Sequence, residues 1–265
     1  MKKVCSICQK VFSGIGVAAV ALLLINAVAA PTEVAVPTLS EDDPLMLAAS
    51  GERDTLPTYQ IKAWDLPKKM DFAGESVPLQ ISDVRERLDR ELLVNVYWQS
   101  NGLLLIKRAH KFFPIIEPIL AKYDVPNDFK YLALIESGLQ NVVSPSGAAG
   151  FWQFMKGTAK EYNLEMENTV DERYHLEKAT EAACLYLKKA KEEMGSWTLA
   201  AAAYNAGKSG IRTQLNKQQV NDYYDLHLNN ETSRYVFRIL ALKEIMKNPK
   251  KYGFTPIKTE SNLSL

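Results

Sequence analysis

What the chain has little of narrows its function before any motif is considered. Three cysteines and three histidines occur in 265 residues. Cys5 and Cys8 form a CxxC, but no second pair and no nearby histidine completes a zinc site. His110, His175 and His227 are scattered without an i, i+4 pair, so they read as surface or structural residues and no metal or other cofactor is expected. Cys184 is the one thiol beyond the N-terminal segment, which excludes an internal disulfide there and marks a small buried residue on a helix. Charge imbalance is missing too: 32 basic residues face 31 acidic ones, leaving no basic excess to hold a nucleic acid. No stretch shows sustained strand alternation, so the fold should be mainly α.

What is present divides the chain. Residues 1–30 combine Lys2, Lys3 and Lys10 with an apolar run from Val11 to Ala30 and small residues at Ala27, Ala29 and Ala30. That is the form of a signal peptide with an A-x-A cleavage site, and an uncleaved membrane anchor is the alternative. Either implies work in the cell envelope, on the periplasmic side. Residues 31–78 hold half of the prolines and no helical period, and read as a tether or arm whose Tyr59, Ile61, Trp64 and Leu66 lie on a domain surface. A helical domain then spans 79–255, and 256–265 form a tail. Val84, Leu88, Leu92 and Val96 recur at helical spacing. A second helix from Leu103 to about Tyr123 contains Pro114 and Pro118, which should kink or divide it. Pro126 and Asp128 open a third. Thr158 to Glu161 has the pattern of a capping box. Leu176–Met194 carries an apolar stripe of Ala179, Ala183, Leu187, Ala190 and Met194, and Ser196 caps a buried helix ending at Gly207. The last helix should run from about Glu231 to Lys247.

The stretch that organises the domain is Tyr131 to Phe154, YLALIESGLQNVVSPSGAAGFWQF. Its helix is apolar on nearly every side and ends at Gly138, the residue type that most readily takes a left-handed cap. Phe129, Leu132, Ala133 and Glu136 stand at i, i+3, i+4 and i+7, so the acid shares a face with apolar groups. In such surroundings, and at a helix C-terminus, the charged carboxylate is disfavoured and its pKa should rise, which makes a general acid. A glutamate bending out to solvent at a frayed helix end is the other reading of the same spacing. After a turn-rich loop of small residues the chain becomes abruptly aromatic, a combination suited to the apolar faces and hydroxyls of a sugar. Gly207-Lys208-Ser209 echoes a phosphate loop, but its required first glycine falls at Ala202.

Glu136-Ser137, then Ser144-Pro145-Ser146-Gly147-Ala148-Ala149-Gly150-Phe151-Trp152-Gln153, then Ala203-Tyr204-Asn205-Ala206-Gly207, then Glu231-Thr232 with Tyr235-Val236 resemble the four motifs of the family 1 lytic transglycosylases, in order. Trp152, where methionine is commoner, is similar to the membrane-bound D branch; that branch usually adds LysM repeats, and none is read in these residues. The resemblance implies a lysozyme-like helical domain with a deep glycan cleft, acting on peptidoglycan glycan strands. It implies that Glu136 is the catalytic acid and base, that Ser144 bonds near the reacting sugar, and that Gln153, Tyr204 and Tyr235 line the cleft with Asn205 in support and Trp152 close by.

An ordinary glycosidase needs two carboxylates. The motifs offer one, with Glu231 and Asp171 candidates by composition only. With Glu136 alone, the substrate must supply the rest; at the bond that the resemblance implies, between N-acetylmuramic acid and N-acetylglucosamine, this would be non-hydrolytic cleavage with a 1,6-anhydro product. A goose-type lysozyme would use a second acid to position water. A catalytically idle peptidoglycan-binding protein would have no need of a buried acid.

Overall fold

The computed structural model describes residues 62–255. The expected leader, the first part of the expected tether, with Tyr59 and Ile61, and the tail lie outside the described residues. Trp64 and Leu66 are partly buried and pack against a core cluster formed by Leu92, Val96, Ala241, Ile245, Tyr252 and Phe254. The segment that follows does more. Asp71–Phe72 (β1) pairs antiparallel with Glu75–Ser76 (β2), and Phe72 is fully buried with its ring 5.2 Å from that of Phe129. Two-residue strands are too short to show alternation in a sequence.

Eight α-helices follow among the described residues. The first, α1 (Ser82–Tyr97), buries Val84, Leu88, Leu92 and Val96 at the predicted spacing. The second, α2 (Gln99–Lys122), runs unbroken through Pro114 and Pro118, so of the expected kink or division the division does not occur. Both prolines are exposed and four residues apart, so the carbonyls they leave unbonded face water on one outer side. Pro126 and Asp128 open a short 3-10 turn, Asn127–Phe129, which leads into α3 (Lys130–Ser137). Asp128 lies in the first turn as expected and has a further part. Its carboxylate accepts from the Ala73 N–H at 2.7 Å and from Lys243 Nζ at 2.5 Å, tying the hairpin to the last helix.

The predicted capping box fails. The helix concerned, α4 (Lys156–Glu161), starts after Met155 with no side-chain cap, and Thr158 lies inside it. Leu176–Met194 (α5) has the predicted bounds and buried stripe, and in α6 (Trp197–Ala206) the Ser196 hydroxyl accepts from the Leu199 N–H at 3.0 Å, as expected. Lys208–Gln218 forms a helix, α7, that the sequence did not announce, because Ile211 is its one buried residue and no stripe can be read. The last helix, α8, is Asn230–Lys247.

The packing order explains where a cleft can open. Short α3 lies against both α2 and α8, while α8 also packs on α1 and α6. Ala200 to Ala203 on α6 are fully buried, and their small side chains let α5 and α8 approach closely. Each buried leucine of α3 contributes on the order of 2 kcal/mol, so this eight-residue helix is held by packing and not by its own propensity. No helix among the described residues is long and apolar enough to cross a membrane.

Candidate active site

Glu136 stands in the last turn of α3. Gly138 follows with φ 61° and ψ 30°, and its N–H closes the helix on Leu134 O at 2.9 Å. Phe129, Leu132 and Ala133 are fully buried on the face the acid shares. The carboxyl group opens on a cavity of about 670 Å³ between α1, α2 and α8, whose wall includes Glu91, Arg108, Gln140, Glu231, Arg234 and Arg238. From beneath, Tyr235 on α8 donates its hydroxyl to the Glu136 carboxylate. Burial pushes the Glu136 pKa up to about 7; the Tyr235 hydrogen bond and the positive Arg238 pull it down, and the negative Glu231 adds a smaller push. The inward-facing reading of this glutamate holds.

The loop after α3 is fixed to it by Ser137. That hydroxyl is buried, donates to Phe151 O at 2.8 Å and accepts from the Gln140 N–H at 3.3 Å. Gly150 lets the loop pass under the neighbouring turn: its φ is 80°, and a Cβ there would lie 1.8 Å from Arg173 O. The Arg173 guanidinium then bonds Gly147 O and Phe154 O, both at 2.9 Å, and is itself held by Asp171 at 2.7 Å. Asp171 is thereby committed. The Arg173 side chain holds its carboxyl below the usual range, so it is a loop anchor and not a second acid.

The remaining sequence-predicted residues surround this frame unequally. Gln153 takes φ 50°, rare for a residue with a side chain, and its amide donates to Val142 O at 3.0 Å and Gly150 O at 2.8 Å. Ser144 Oγ accepts from the Ala148 N–H at 3.0 Å and shares a hydrogen bond with Ser146 at 2.9 Å. Tyr204 donates to Trp152 O at 2.7 Å, and burial together with the negative Glu136 holds its phenol well above the ordinary value, as it does for Tyr235. Both phenols therefore remain donors. Asn205 bonds Glu231 at 3.1 Å through its Nδ2 and accepts from the Thr232 hydroxyl at 2.9 Å, linking α6 to α8.

Trp152 needs correcting. It is fully buried, with its indole N–H donated to Thr180 Oγ1 at 2.8 Å, so the ring packs under the loop and cannot touch a glycan. Of the residues to which the resemblance gives a role, Glu136 is the one on the cavity wall, where the candidate acid Glu231 also lies, and the others shape the ground beneath and beside it. Sequence reasoning missed Arg108, Arg173 and Arg238. For Arg238 there was a signal: it stands at i+3 from Tyr235, on the same face of α8.

The comparisons with known proteins can now be set beside this geometry. Residues 113–226 match the family model of the transglycosylase SLT domain. The span contains Glu136, the loop and Tyr204, and stops short of Tyr235. Membrane-bound lytic murein transglycosylase D from Escherichia coli K12 is 29% identical over 203 residues, which are 73% of this chain and 44% of that protein. The protein of the same name from Escherichia coli O6:H1 strain CFT073 matches equally. The chain thus spans less than half the length of these curated relatives. An acid in the last turn of a short helix, a loop fixed by Ser137 and Arg173, and the matched family model agree: the chain carries a transglycosylase SLT domain and is similar to membrane-bound lytic murein transglycosylase D.

Proposed function

We propose that the chain is a peptidoglycan lytic transglycosylase that cleaves the β-1,4 bond between N-acetylmuramic acid and N-acetylglucosamine without water, using Glu136 first as acid and then as base. The observation that carries this reading is the Glu136 carboxyl group, open to the cavity, hydrogen-bonded by a neutral phenol and holding its proton up to about pH 7. The protonated carboxyl group gives its proton to the glycosidic oxygen as the C1–O bond breaks. The acetamido group of the substrate stabilises the positive centre left at C1. Its 6-hydroxyl then bonds to C1 while the Glu136 carboxylate takes the hydroxyl proton, which restores the enzyme. The phenol of Tyr235 steadies the carboxylate between the two steps. The proposal includes work in the cell envelope, which the relatives' printed description as membrane-bound supports.

One observation favours a second reading. Glu231 lines the same cavity and lies near enough to raise the Glu136 pKa. Were it to position a water molecule, the reaction would be hydrolysis, as in a goose-type lysozyme. Asn205 donates to that carboxylate, which argues for an anchoring part. Digestion of purified peptidoglycan in heavy-oxygen water separates the two. The proposal expects muropeptides ending in 1,6-anhydro-N-acetylmuramic acid, lighter by one water and unlabelled. Labelled reducing ends would replace it with the lysozyme reading.

A further inference from the structure

Three arginines reach the cavity wall, and they are not equivalent. Arg234 is neutralised by Glu91, which it meets at 2.6 Å. Arg108 on α2 and Arg238 on α8 have no carboxylate within ion-pair distance among the described residues. Each spends a donor on a backbone carbonyl at the end of α3: Arg108 Nη1 on Gly138 O at 3.2 Å, and Arg238 Nη2 on Ile135 O at 3.3 Å. These carbonyls flank Glu136 in the chain, so the two guanidinium groups come in from opposite neighbouring helices to the helix end that carries the acid. A guanidinium has five N–H donors in a rigid fork. With one donor engaged at a long distance, most of each fork remains free.

Both side chains are half-buried, so the charge is neither hydrated as on a surface nor paired as in a core. Helix-end carbonyls orient such a group but carry only partial negative charge. An arginine that served only as a helix cap would have no need of the cavity. We propose that Arg108 and Arg238 form a carboxylate-binding subsite beside Glu136, for the acidic arm of the muramic acid residue. This rests on the glycan substrate proposed above. The carboxylate has two sources in that polymer. It is the terminus of the lactyl arm where the peptide has been removed, and a free carboxylate of the peptide where it has not. Neutral N-acetylglucosamine polymers lack both. The subsite would set which sugar lies next to the acid, because only muramic acid brings an anion to it.

The test uses the full chain carrying Glu136→Gln, so that oligosaccharides bind without being cut. Calorimetry compares three ligands of equal sugar count: a neutral chito-oligosaccharide, a peptide-free muramyl oligosaccharide and a peptide-bearing one. The subsite predicts that at least one acidic ligand binds about tenfold or more tighter than the neutral one, the size expected of charge-assisted hydrogen bonds. Adding Arg108→Gln should remove most of that preference, with the neutral ligand changed less than about twofold. Arg108→Lys should restore part of it, which a loss of packing would not allow. Preference for the peptide-free ligand alone assigns the lactyl carboxylate, preference for the peptide-bearing one alone assigns a carboxylate of the peptide, and equal preference for both assigns a subsite that takes either. Equal affinity for acidic and neutral ligands overturns the proposal, as does an equal loss for all three in Arg108→Gln. Binding is read without turnover, so a hydrolytic product would sink the proposed reaction and leave this preference standing.

Discussion

Glu91 and Glu136 line the same cavity and are drawn into the same protein, yet they do opposite things. Glu91 is 1% exposed and takes Arg234 Nε at 2.6 Å, Arg234 Nη2 at 3.2 Å and Arg90 Nη1 at 2.7 Å. Glu136 takes the hydroxyl of Tyr235, with Arg238 close enough to be felt but not to pair. A cation in contact offsets most of the hydration an anion loses on burial, whereas a neutral donor offsets only part of it. The first arrangement gives a fixed ion pair joining α1 to α8. The second gives a carboxyl group that keeps a proton near neutral pH and can hand it over. What separates a structural acid from a chemical one here is the partner, not the depth.

The comparison can be broken at either end. The largest effect should come from Glu136→Gln, which keeps the shape but cannot deliver a proton. Peptidoglycan digestion should slow by a factor on the order of 100 or more while the melting curve stays cooperative. A variant keeping a tenth of wild-type activity would mean another group supplies the proton. Next is Arg234→Leu, which strands Glu91 with the half-exposed Arg90. Denaturant unfolding should show a loss of roughly 4 kcal/mol, as for other buried pairs deprived of one partner. A loss under about 1 kcal/mol would show that Arg90 alone suffices.

The third effect is a dependence on pH. The Glu136 pKa in the folded protein, about 7, lies above its ordinary value of 4.5, so the native state holds this proton more tightly. Its contribution to stability is complete below pH 4.5 and is lost as pH rises through 7. Glu136→Gln lacks the dependence. Relative to wild type it should therefore gain stability between pH 4 and pH 8, on the order of 2 kcal/mol once solvent access to the half-buried group is allowed for. Parallel stability profiles for the two proteins would contradict this. Smallest is Thr180→Val, which leaves the Trp152 N–H buried without an acceptor and should cost about 1.5 kcal/mol, read as a lowered unfolding midpoint.

The same contrast separates what the sequence showed from what it hid. The α5 stripe, the Ser196 cap and the Gly138 stop are local signals written within one or two turns, and each was legible. Glu136 was legible as an acid on an apolar face. Its partner was not: Tyr235 is 99 residues away, and only the resemblance between motifs brought it in. Trp152 was misread for the same reason. An aromatic residue after a glycine-rich loop suggests a sugar platform, until Thr180, 28 residues on, is seen to satisfy its indole. Arg108 and Arg173 grip backbone carbonyls, which any residue offers, so no side-chain pattern marked those contacts, and Arg238 was marked only by its place at i+3 from Tyr235.

The central claim is that burial beside a neutral phenol, and not pairing with a cation, gives Glu136 its proton. Carbon-13 labelling of the glutamate side chains, with Glu136→Gln used to assign the signal, would let nuclear magnetic resonance follow that carboxyl group through a pH titration. The account predicts a midpoint near 7, moving higher still in Tyr235→Phe, because the lost hydrogen bond favoured the charged form. A midpoint near the ordinary 4.5, unmoved by Tyr235→Phe, would contradict it.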